Sequence, residues 1–168
     1  MKKLIMLVIL IAVISNAQEK NKLMIDERSG KLMLLGICDR TAFADTNFSW
    51  WFNSEYENYE FSIATLDSIK CKLENITIKM VLGTWCSDSR REVPRFMRLM
   101  DETSMSEEKI SLICVDRKKE SPEGNVDELD IKYVPTFIIY KNNQEIGRII
   151  ESPGESLERD LKGIIYRK

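Results

Sequence analysis

The chain has 168 residues, enough for one domain with a real core, and 43% hydrophobic with 31% charged residues is ordinary for a globular protein. A formal net charge of −2, with no long basic block, excludes a nucleic-acid footprint. The complete absence of histidine excludes Cys–His and Ser–His nucleophile pairs, histidine general bases and most zinc sites.

Lys2 and Lys3 precede an unbroken apolar run from Leu4 to Ile14, followed by Ser15-Asn16-Ala17. A positive start, a short apolar run and small residues before a break fit a cleaved signal peptide over residues 1–17. The competing reading, a transmembrane helix, needs roughly 20 apolar residues. The expectation is an exported protein, periplasmic or secreted after cleavage near Ala17, with no stable membrane insertion. An oxidising compartment permits disulfides among Cys38, Cys71, Cys86 and Cys114.

Residues 18–61 read as an N-terminal extension packed on the domain. Leu32 to Cys38 is an apolar run that pairs as a strand with Leu23-Met24-Ile25 across the Ser29-Gly30 turn. Trp50, Trp51, Phe52, Tyr56, Tyr59 and Phe61 then crowd one segment. Burial against the core accounts for such a cluster, and a stacking surface for substrate is the alternative.

From Ser62 the pattern becomes regular. Leu66, Ile69 and Leu73 recur at helical spacing, and Ile76 to Leu82 is a β-branched strand. Ser87 to about Met100 is helical, with Val93, Phe96, Met97 and Met100 on one stripe. Ile110 to Val115 reads as a central strand. Phe137 to Tyr140 and Ile146 to Ile150 flank the Asn142-Asn143 turn as a hairpin. Leu157, Leu161, Ile164 and Ile165 mark a closing helix. The order predicts an α/β fold with helices on both faces of the sheet.

Three signatures lie on this frame. Gly83-Thr84-Trp85-Cys86-Ser87-Asp88-Ser89 follows the first strong strand, Pro94 stands eight positions beyond Cys86, and Tyr133-Val134-Pro135-Thr136-Phe137 opens a later strand. A proline inside a helix otherwise costs about 3 kcal/mol. Over residues 62–168 this combination resembles the thioredoxin superfamily, with its Trp-Cys-x-x-Cys corner, kinking proline and cis-proline loop. It most resembles exported thioredoxin-like proteins of Bacteroidetes type, here with a Cys-x-x-Ser corner. The resemblance implies a central mixed sheet, a reactive Cys86, and a cis Pro135 whose neighbour Val134 offers backbone hydrogen bonds to an extended peptide. A trans proline opening a strand is the alternative.

Cys86 lies where a strand ends and a helix begins, so unpaired N–H groups and the helix dipole favour its thiolate. Arg90 and Arg91 add to this, and Asp88 opposes it. Cys114, mid-strand in an apolar run, suits an inert thiol. Two departures agree with each other: Ser89 replaces the resolving cysteine, and Met80 stands where many relatives bury an aspartate, six residues before Cys86. Cys71 points away from its helix's apolar stripe. A Cys38–Cys71 disulfide, two idle thiols, or Cys71 as a resolving partner all stay open.

The expected function is monothiol exchange at Cys86. Trp85, Val134 and Pro135 bind the substrate, Ser89 donates to the thiolate, and Asp88, Arg90 and Cys71 are auxiliary. Partners are disulfides or thiols of proteins or small molecules, with an external thiol as resolver; no cofactor and no metal is expected. The alternative is a non-catalytic module that grips extended peptides.

Overall fold

A computed structural model describes residues 19–167, so the signal segment expected over residues 1–17 lies outside the described residues. β1 (Lys22–Ile25) and β2 (Leu32–Cys38) pair antiparallel, with Leu23 opposite Leu34. Asp26 builds the turn between them, its carbonyl accepting from the N–H groups of Ser29 and Gly30. Gly30 takes φ +68° there, a conformation that glycine adopts without steric cost.

α1 (Thr46–Asn58) is an element the sequence pattern does not announce. Asp45 caps it, accepting from the Asn47 N–H at 2.8 Å. Phe48, Trp51 and Phe52 are buried while Trp50 is 66% exposed. Phe43 stacks on Phe52 with centroids 4.7 Å apart. The aromatic segment is therefore mainly core.

α2 (Ile63–Lys70), β3 (Ile76–Leu82), α3 (Ser87–Glu102) and β4 (Ile110–Cys114) follow. β5 (Thr136–Lys141), β6 (Gln144–Ile150) and α4 (Leu157–Tyr166) complete the fold. The six strands lie in the order β1-β2-β4-β3-β5-β6. β3 and β4 are parallel and every other neighbouring pair is antiparallel, so the sheet is mixed.

Met80 stands opposite both Leu112 and Phe137, which fixes one face of the sheet. Buried residues from all four α-helices, among them Phe48, Leu66, Phe96 and Leu161, join that face in a single core. The expectation of helices on both faces needs correcting. The smaller core opposite, Val81, Ile113, Val115, Val126 and Val134, contains no α-helical residue. It is covered by loops and by a 3-10 turn at Val126–Leu129, because residues 116–125 are mostly polar and carry Pro122 and Gly124, and the apolar residues from Val126 to Val134 form no stripe long enough for an α-helix.

Phe96 of α3 stacks on Phe137 of β5 with centroids 4.5 Å apart, and both are fully buried. Burying each ring contributes about 1.5–3 kcal/mol, so this contact anchors α3 to the sheet. Among the described residues, no helix is long and apolar enough to cross a membrane.

Candidate active site

The corner between β3 and α3 is tied from several sides. Cys86 is the N-cap of α3, and its N–H donates to the Gly83 carbonyl at 2.8 Å. It therefore meets the unpaired N–H groups and positive dipole end of a 16-residue helix. Cys86 is half-buried, and its Sγ donates to the Val134 carbonyl at 3.2 Å. Val134 and Pro135 are buried, and the peptide bond between them is cis.

Gly83 is required by close approach: a Cβ there would lie 2.5 Å from Cε2 of Trp85. Without one, the indole folds back and its Nε1 donates to the Val115 carbonyl at 2.9 Å. Thr84 is held on both sides, Oγ1 accepting from the Leu34 N–H at 3.1 Å and the carbonyl accepting from Arg90 Nε at 2.6 Å.

Ser89 is fully buried, and its Oγ accepts from the Gly83 N–H at 3.2 Å. The expected donation from Ser89 to the Cys86 sulfur is not formed; the hydroxyl oxygen instead joins the first turn of α3 to the end of β3. Met80 is fully buried in the helix-covered core.

The charged turn is mostly self-paired. Arg91 reaches Glu92 at 2.6 Å and Asp88 at 2.9 Å, and Arg90 serves Thr84. Asp88 thus faces a cation rather than acting on Cys86 as a lone negative charge. The pairing with Glu92, before that with Asp88, strengthens the Arg91 cation.

Sequence reasoning missed a third arginine. Arg117 places its guanidinium over Trp85, 4.9 Å from the ring centroid, and donates through Nε and Nη2 to Asp26 at 2.7 Å each. The Arg117 hydrogen bonds hold the Asp26 carboxyl well below the usual carboxylate range. No periodicity signals a pair that lies 91 positions apart in sequence.

The other cysteines do not converge on Cys86. Cys71 is exposed just beyond α2, before β3 begins, whereas Cys86 follows its end. The length of β3, about 20 Å at 3.3 Å per residue, separates the two levels. Cys38 is buried, with Leu112 opposite it, and Gly36 stands opposite Cys114. Burial first, and the neighbouring Cys38 thiol second, push the Cys114 thiol well up. All four cysteines are free. Of the alternatives left open for Cys38 and Cys71, a disulfide between them is not formed, and Cys38 neighbours Cys114 instead. Among the described residues, no group of three or more His, Cys, Asp or Glu side chains is placed to hold a metal.

A family model described as Thioredoxin matches residues 59–163. The chain is 35% identical over 78 residues to thioredoxin H5 of Oryza sativa subsp. japonica, covering 46% of this chain and 53% of that protein. It is 24% identical over 104 residues to a thioredoxin of Ophiophagus hannah, covering 60% of this chain and 93% of that one. The chain thus spans about half the length of the rice protein. A crystal structure of a protein of unknown function from Pseudomonas aeruginosa shares the fold at a TM-score of 0.52 and 14% identity, covering 76% of this chain and 83% of that one.

Proposed function

Because the chain belongs to the thioredoxin family, we propose that it carries out thiol–disulfide exchange through the single thiol of Cys86, in a compartment outside the cytoplasm. The observation that carries this reading is the half-buried Cys86 at the start of α3 with its Sγ 3.2 Å from the Val134 carbonyl. The Lys2-Lys3 start and the apolar run to Ile14 support export.

The Cys86 thiolate attacks one sulfur of a disulfide, forming a mixed disulfide and expelling the other sulfur as a thiolate. The thiol proton has gone by then, so the Val134 carbonyl is released to accept from a substrate N–H in strand-like pairing. Ser89 carries no sulfur to attack the adduct. An external thiolate closes the cycle by attacking the substrate sulfur and returning Cys86 as thiolate. Electrons balance without a net oxidant, which suits isomerisation or the clearing of mixed disulfides better than dithiol reduction.

The test is expression from residue 1 in a Gram-negative host, acid quenching and non-reducing gels. Cys86-dependent adducts that vanish in Cys86→Ser and clear with glutathione are expected, on a mature chain beginning near Gln18. Equal non-covalent capture of partners by wild type and Cys86→Ser, with no adducts, would replace this reading with the peptide-binding module.

A further inference from the structure

We propose that Arg117 is a positioning residue for the Cys86 chemistry, and that the β1–β2 hairpin, by holding it, forms part of the active site. Arg117 lies just beyond the end of β4. Its two parallel bonds to Asp26, 2.7 Å each, fix the plane of the guanidinium in a way that one bond does not. Asp26 is itself held, with its side chain only 4% exposed. The Ser29 hydroxyl and Arg28 N–H donate to its carboxylate, and its N–H and carbonyl close the hairpin turn.

In that plane the guanidinium covers Trp85, whose edge is pinned to Val115. A second tie runs the same way, from the Leu34 N–H of β2 to Thr84 Oγ1. The hairpin therefore restrains Thr84 directly and Trp85 through Arg117, and these are the two residues before the reactive thiol. Asp26 first, and a charged Cys86 sulfur to a lesser degree, favour the Arg117 cation.

This inference rests on Cys86 being the exchanging thiol. The test uses the full chain in a Cys71→Ser background, with 4,4′-dithiodipyridine as a neutral disulfide probe of the remaining accessible thiol. Asp26→Asn and Arg117→Gln should each slow exchange at Cys86 by about threefold to tenfold, and the double variant should be no slower than the slower single one, since both remove one contact. Arg117→Lys should stay near Arg117→Gln, because an ammonium neither forks onto the carboxylate nor lies flat on the indole. Asp26→Asn is nearly isosteric and keeps the test open if loss of the guanidinium prevents folding. Melting temperatures that fall while every rate stays at the parent value would overturn the proposal, as would full recovery in Arg117→Lys. A parent protein inert at Cys86 would instead overturn the exchange reading, and this inference with it.

Discussion

Replacing Ser89 by cysteine tests the corner's geometry and its chemistry together. Ser89 is fully buried and accepts from the Gly83 N–H at 3.2 Å. In the reduced variant that donor loses its oxygen partner, and a buried unsatisfied group costs about 1–3 kcal/mol. At about 2–4 °C per kcal/mol for a chain of this size, the reduced variant should melt about 2–12 °C below wild type. Position 89 is three residues beyond the N-cap Cys86, one helical turn away. Mild oxidation should therefore close an 86–89 disulfide. Closing so short a loop returns about 2 kcal/mol of chain entropy, or about 4–8 °C. Scanning calorimetry with and without reductant, with peptide mapping by mass spectrometry, measures both effects. A reduced variant that melts with wild type, together with no 86–89 bond, would refute the role given to Ser89 and the shape of the corner.

Phe96→Ala should lower stability by about 3–5 kcal/mol in denaturant unfolding, because it empties a fully buried stack on Phe137. Native alkylation with peptide mapping should label Cys86 and Cys71, leaving Cys38 and Cys114 silent until the protein unfolds, since both are buried. Gly83→Ala should slow Cys86 exchange, because its Cβ would sit 2.5 Å from the Trp85 ring and displace the indole. The Asp26 carboxyl has a depressed folded-state pKa, so its contribution is complete above the unfolded value and is lost as pH falls through the folded one. The stability difference between wild type and Asp26→Asn should accordingly stay level at neutral pH and shrink below about pH 4.

The fold's main strands and helices were legible because their apolar residues keep one period over a long run. Leu23 to Ile25 and Leu32 to Cys38 pair around Ser29-Gly30 as the turn chemistry predicts. Val93, Phe96, Met97 and Met100 are all buried on α3. α1 escaped notice because Trp50, Trp51 and Phe52 are consecutive and blur the helical spacing. The reactive corner was readable from local motif spacing, but what supports it was not. Ser89 bonding to Gly83, Leu34 to Thr84, and Asp26 to Arg117 join residues that only the folded sheet brings together. The neighbouring Cys38 and Cys114 belong to the same class, since only the β2–β4 register makes them adjacent.

The most direct measurement is the lifetime of the Cys86 mixed disulfide, followed by intact-mass spectrometry after purified protein meets a small excess of a disulfide peptide. Monothiol exchange predicts one adduct, mapped to Cys86, that persists until an external thiol is added and then clears to the starting mass. An adduct that clears unaided, leaving an internal disulfide to Cys71, would contradict the account, and so would a protein on which Cys86 forms no adduct.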